Sequence, residues 1–159
     1  MIDTASTFGN LPTGVRHPYT ALLESLPRVA DRALVETVEL PAIATAWRQA
    51  TANESRELAA LDQATLSNPN FADHAEVSRE LGNEFLNRLL PLRDARILRR
   101  HAEAVENGDA AGSHLIVFGL MLAVFSVPPR QALLDYIQAR LPDTDSASAV
   151  ISNLLDRAA

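Results

Sequence analysis

Residues 115–127 read LIVFGLMLAVFSV, thirteen positions without a charge. No other stretch limits the chain's possible folds so strongly. A membrane span needs ~20 apolar residues, and a run of ~10–14 belongs more often to a buried core helix. His114 precedes the run and Pro128-Pro129 follow it, so it is too short to cross a bilayer. As a strand it would need a neighbour, because an isolated strand leaves backbone donors and acceptors unmet. Period-two alternation is scarce in the rest of the chain, whereas helical spacing recurs almost throughout. Leu120, Met121, Leu122 and Ala123 favour helix, and a helix apolar on every side is one buried on every side. The run therefore predicts a central core helix over 114–126, with Ser113 as its N-cap.

The flanking sequence supplies the elements that would bury it. Residues 1–18 carry Gly, Pro and Thr without periodicity and read as an N-terminal arm or loop; residues 19–159 read as a helical domain. Helices are expected over 19–26 and 28–38, divided at Pro27, with Leu22, Leu23 and Leu26 inward in one and Leu34, Val35 and Val38 in the other. Pro41 suits the first turn of a helix reaching about Ala52, with Ile43 and Trp47 inward. Asn53 is placed to cap the next helix, whose stripe is Leu58, Leu61 and Leu66. Asn68-Pro69-Asn70 reads as a turn. The longest helix is expected over 72–90, with Val77, Leu81, Phe85 and Leu89 inward. A polar amphipathic helix over 93–106 ends at Asn107-Gly108. Pro129 starts a helix with Leu133, Ile137 and Leu141 inward, and a last one begins near Ser146. The expected fold class is all-α: a single-domain orthogonal bundle of about eight short helices around the buried helix 114–126.

Composition narrows the chemistry. At 159 residues and 47% hydrophobic the chain fits one domain with a sizeable core. A net charge of -6 argues against nucleic acid and anionic membrane surfaces, which attract basic proteins. There is no cysteine, and all fourteen cations are arginine, which removes thiolate and Schiff-base chemistry. The opening MIDTASTFGN lacks a signal-peptide pattern, so a cytoplasmic location is expected. The histidines are His17, His74, His101 and His114; neither Glu-x-x-His nor His-Glu-x-x-His occurs, and no metal site is expected. Glu76, Glu80 and Glu84 share one helix face and read as solvated surface rather than an acidic docking face. The segment RLLPLRDARILRRH, residues 88–101, concentrates Arg88, Arg93, Arg96, Arg99 and Arg100 beside His101. Arginine grips carboxylates bidentately, so Arg96, Arg99 and Arg100 are candidates for binding an acidic partner surface. Pairing within the chain to Asp94, Glu103 and Glu106 is the competing reading. LPDTDSAS, residues 141–148, lacks the glycine and glutamate of a calcium loop. No Ser/His/Asp set, phosphate loop or GxSxG elbow appears. The residues describe a non-catalytic helical domain that binds proteins; an enzyme using His74 or His114 with a nearby carboxylate is a further reading.

Three stretches in order resemble the urease accessory protein family UreF: ELPAIATAWRQA (39–50) with ESRELAALDQATL (54–66), EVSRELGNEFLNRL (76–89), and VFGLMLAVFSVPPRQALLDYIQARL (117–141). LPTGVRHPYTALLE (11–24) is similar to the family's N-terminal signature through Pro12, Gly14 and Glu24. The chain departs from the pattern in a shorter segment between Glu24 and Glu39. Its end, SASAVISNLLDRAA, also lacks the family's basic residue after Ala-Val and its Leu-Gly-Gln tail. The resemblance implies an all-helical, homodimeric scaffold that has no catalysis or cofactor of its own. Such a scaffold binds UreD (UreH), recruits the GTPase UreG and helps deliver nickel to apo-urease, the nickel being handled by the complex. It also implies partner-binding roles for Glu24, Arg79 and Tyr136 and family-like structural roles for Pro12, Gly14, Ser78 and Gly82. The alternative is a helical interaction adaptor unrelated to urease.

Overall fold

The structure is a computed structural model that describes residues 17–28, 31–142 and 147–158. Among these residues the chain forms eight helices and no strand, an all-α fold. They are α1 (Pro18–Ser25), α2, α3 (Ser55–Ser67), α4 (Ala75–Leu89), α5 (Arg96–Glu106), α6 (His114–Val124), α7 (Pro129–Arg140) and α8 (Ala147–Ala158). Helix α2 joins Arg32–Leu34, a π turn Val35–Glu39 and Leu40–Thr51 without interruption. The expected arm over residues 1–18 lies almost wholly outside the described residues, as do Pro12 and Gly14. Helix α1 starts at Pro18, one residue inside that expected arm, with His17 Nδ1 accepting the Tyr19 N–H at 3.0 Å.

The apolar run forms α6, and every residue from His114 to Leu122 is buried. Ser113 caps it as expected, its hydroxyl accepting the Leu115 N–H at 3.2 Å. The helix is enclosed largely by α2 and α4, and small residues set both approaches. A Cβ added at Gly119 of α6 would lie 2.6 Å from Ala46 Cβ and 2.8 Å from the Ile43 carbonyl of α2. A Cβ at Gly82 of α4 would lie 1.9 Å from the carbonyl oxygen of Gly112, just before α6. Real side-chain atoms cannot approach so closely, so both positions need glycine. At its far end α6 closes on Ser126, which adopts a left-handed φ of 55°, with Val127 N–H reaching the Leu122 carbonyl at 2.9 Å. The backbone thus turns before Pro128, and Pro129 opens α7.

Three local expectations are corrected. The helices expected over 28–38 and from Pro41 are not separate: residues 32–38 and the segment from Pro41 are both parts of α2. A proline in a regular helix presses on the carbonyl four residues back. Here the π turn, in which Leu40 N–H bonds the Val35 carbonyl, widens the ladder just before Pro41 and lets the helix pass. Asn53 does not cap α3; it sits at a left-handed φ of 58° and ends α2 in a Schellman arrangement, with Glu54 N–H on the Gln49 carbonyl at 2.9 Å. Finally, α4 is preceded by a 3-10 turn, Pro69–His74, and its buried face is Ser78, Gly82, Phe85, Leu86 and Leu89. Val77, expected inward, is 53% exposed. The small pair Ser78 and Gly82 lets the helix lie against 112–114, which rotates Val77 outward.

Candidate functional site

A line of charged and polar side chains crosses the apolar core. It starts at Arg140 of α7, 2% exposed, and Glu39 of α2, fully buried. Arg140 grips Glu39 with two donors, Nε to Oε1 at 2.9 Å and Nη2 to Oε2 at 2.7 Å. Its Nη1 donates to the Pro27 carbonyl at 2.5 Å, holding the chain between α1 and α2. The Tyr136 hydroxyl donates to Glu39 Oε1 at 2.5 Å and meets His114 Nε2 at 2.9 Å. On the other side of the ring, His114 Nδ1 lies 2.7 Å from Ser78 Oγ, which lies 3.0 Å from Ser113 Oγ.

The proton positions follow from the end of the chain. A carboxylate held by an arginine only accepts, so the tyrosine must donate to it. The tyrosine oxygen then accepts the His114 Nε2–H, which leaves Nδ1 as an acceptor for Ser78. Ser78 in turn accepts from Ser113 and from the His114 backbone N–H at 3.2 Å. From Tyr136 to Ser78 each hydroxyl and ring donor has one acceptor. Burial would raise the Glu39 carboxyl, but the Arg140 guanidinium and the Tyr136 hydroxyl hold it below its ordinary value. Burial drives the Tyr136 hydroxyl well above its ordinary value, and the neighbouring carboxylate adds to this. Burial lowers His114 to about 4, against a smaller upward pull from Glu39. The ring is therefore neutral at neutral pH, in accord with the single-proton arrangement.

A second buried carboxylate continues the row. Asp62 of α3 accepts Ser113 N–H on Oδ1 and Gly112 N–H on Oδ2, both at 2.9 Å. Its Oδ2 also meets His101 Nε2 of α5 at 2.9 Å. Since the carboxylate accepts, His101 donates through Nε2, and its buried Nδ1 has no partner among the described residues. Asp62 thereby fixes the two residues that lead into α6, with Gly112 at a φ of 85°.

The expected site residues fall into separate places. Ser78 and Gly82 are buried in α4, one in the polar row and the other at the α4–α6 crossing. Tyr136, expected at a partner surface, is fully buried; its place in this chain is in the core, where it joins Glu39 to His114. Glu24 and Arg79 are exposed on different helices, and Arg96, Arg99 and Arg100 lie exposed along α5. Of the pairings expected for those arginines, Arg99 meets Asp94; Glu103 and Glu106 hold no arginine among the described residues. The acidic face of α4 behaves as solvated surface, with Glu84 paired to Arg88 at 2.7 Å. His74, half-buried, packs on Phe71 at 5.8 Å. It lines a cavity of about 60 Å³ with Val77, Leu81, Ser78, His114 and Arg140. Among the described residues no group of three or more His, Asp or Glu could hold a metal ion, and no helix is long and apolar enough to cross a membrane.

Glu39, Asp62 and Arg140 were not among the expected site residues, yet each carries a readable signal. Each stands at an inward position of an apolar stripe. Asp62 lies between Leu58 and Leu66, Glu39 between Val35 and Ile43, and Arg140 beyond Leu133 and Ile137. A charge at such a position predicts a buried partner.

A model of the UreF family matches residues 32–148, most of the chain. The chain belongs to the UreF family. UreF proteins are urease accessory proteins, not a catalytic family. The UreF match contains the whole polar row, from Glu39 through Asp62, Ser78, His101 and His114 to Tyr136 and Arg140, and all of α5. Glu24, Pro12 and Gly14 lie before it. No curated protein and no solved structure matches the chain.

Proposed function

We propose that this UreF-family chain is a non-catalytic, cytoplasmic assembly scaffold for urease. It binds a UreD/UreH-like protein and a UreG-like GTPase, and helps them deliver nickel to apo-urease. Nickel is cargo of the complex and not a resident cofactor of this chain. The observation that carries the reading is the UreF-family match over residues 32–148, and it favours this role over a helical adaptor unrelated to urease. The arrangement of the core supports it. Glu39, Arg140, Tyr136 and His114 are bonded to one another, and His114, the candidate base of the enzymatic reading, has both ring nitrogens engaged. The exposed helices α4 and α5 carry charges suited to docking.

The test is co-purification with UreD/UreH and UreG homologues, followed by urease activation in cells lacking their own family member. The expected outcome is a stable complex and restored urease activity. Absence of any complex at micromolar concentration sinks the proposal. The scaffold is further proposed to work as a homodimer with two-fold symmetry; light scattering that finds only single chains counts against that part.

A further inference from the structure

We propose that the face shared by α3 and α5 is a docking cleft for an acidic segment of a protein partner, with Arg56, Arg96 and Arg100 taking its carboxylates. The proposal rests on the reading of the chain as a docking scaffold and names the chemistry of one of its surfaces. Arg96 and Arg100 stand one helical turn apart and line a cleft of about 430 Å³ with Asn53 and Ile97. Arg100 also lines the adjoining cleft, about 370 Å³, with Arg56, Ala59 and Ala60. Helices α3 and α5 pack directly on each other, and Gln63 Nε2 donates across to the Gly108 carbonyl at 3.1 Å, so the two clefts form one continuous surface.

Their clustering sets these arginines apart: Arg79, Arg93 and Arg157 also have no ion pair among the described residues, but none of them lines either cleft. Elsewhere Arg88 pairs with Glu84, Arg48 with Glu54, Arg32 with Glu36, Arg99 with Asp94 and Arg140 with Glu39. Arg56, Arg96 and Arg100 have no hydrogen bond or ion pair among the described residues. Like charges at i and i+4 destabilise a helix by a few tenths of a kcal/mol. The chain has twenty acidic residues against fourteen arginines, yet among the described residues only Asp109 of the acids lines either cleft. A row of unneutralised arginines in an acidic protein is complementary to carboxylates arriving from outside.

The lining selects the kind of anion. The guanidinium fork matches a carboxylate with two parallel bonds, and Ala59, Ala60 and Ile97 form a small apolar floor for the aliphatic stem of a glutamate. Among the described residues no aromatic side chain lines either cleft, so nucleobases have nothing to stack on.

The test titrates the full-length protein with a labelled short peptide rich in glutamate, and with its glutamine counterpart, at physiological salt. The glutamate peptide is expected to bind, with amide shifts confined to the neighbourhood of Asn53, Arg56, Arg96 and Arg100, and the glutamine peptide not to. Arg96→Gln with Arg100→Gln breaks no bond among the described residues. The double variant should keep its fold by circular dichroism and bind about tenfold more weakly, the scale of losing charge-assisted bonds. Arg130→Gln, on α7, should leave binding unchanged. Equal binding by the double variant, equal binding of the glutamine peptide, or displacement by an RNA oligonucleotide as readily as by free glutamate peptide overturns the proposal. Peptide binding that persists when UreD and UreG homologues fail to co-purify upholds the cleft and sinks only the urease role; the converse sinks only the cleft.

Discussion

At the scale of single residues, two contacts bear most directly on the core. Gly82 has backbone where a side chain would go, 1.9 Å from the Gly112 oxygen and 2.6 Å from the Ser113 carbonyl carbon. Neither atom belongs to a flexible side chain, so Gly82→Ala must push α4 off the entry to α6 and pull Ser78 from His114. We expect a loss of about 3 kcal/mol or more, in the range reserved for overpacking combined with a broken polar network. Urea denaturation measures it, and a variant within about 1 kcal/mol of the parent would show that α4 does not need this approach. Tyr136→Phe is a finer probe. It keeps the ring and strands two buried groups, the His114 Nε2–H and one lone pair of Glu39. The expected loss is about 1–3 kcal/mol, with little change in the circular dichroism spectrum. If the phenylalanine variant is as stable as the parent, the hydroxyl is not the link between them.

At the scale of elements, helix existence was legible and helix faces were less so. Ser113, Gly108 and Pro129 mark ends by rules that act within four residues, and α5, α6 and α7 begin or end where those signals stand. Periodicity assigned Val77 to the core because valine is apolar. The packing assigned Ser78 and Gly82 instead because they are small, and smallness matters only once the neighbouring segment 112–114 is in place. The π turn was illegible for a similar reason: Pro41 signals a helix start locally, and only tertiary burial of Val35, Glu39 and Ile43 on one face keeps α2 continuous through it. The polar row was half legible, since a charge on an apolar stripe says that a partner exists but not which residue it is. The end of α6 offers a test of local backbone control. Ser126 is exposed and holds a φ of 55°, a conformation that costs an L-residue ~1–2 kcal/mol and glycine nothing. After glycine's greater freedom in the unfolded chain is subtracted, Ser126→Gly should raise stability by about 0.5 kcal/mol, read as a higher thermal midpoint. A lower midpoint would mean that the serine side chain contributes more than its φ costs.

At the scale of the whole molecule, the core absorbs the large apolar side chains of the described residues almost completely. Val77 is the one large apolar side chain left exposed among the described residues. The apolar side chains of the described residues are thus accounted for within the chain, and the proposed dimer rests on the family resemblance. Polar burial has a global consequence as well. His114 and His17 are both lowered to about 4 by burial, from an ordinary value of 6.5. Between those limits the unfolded chain binds protons that the folded chain excludes. Stability must therefore rise with pH across the window and fall as pH drops from 6.5 towards 4. Each histidine contributes a slope approaching ~1.4 kcal/mol per pH unit in mid-window. Glu39 adds a further loss at the acid end, because its folded value lies below its ordinary one: its contribution is complete above the ordinary carboxylate range and disappears as pH falls through the folded value. Urea denaturation at a series of pH values should show this decline, and His114→Gln, which cannot titrate, should flatten the slope by one proton's share whatever its effect at neutral pH. A pH-independent midpoint between 6.5 and 4.5, or an unchanged slope in the variant, would mean that water or a charged partner reaches His114 and that the polar row is not sealed within the core.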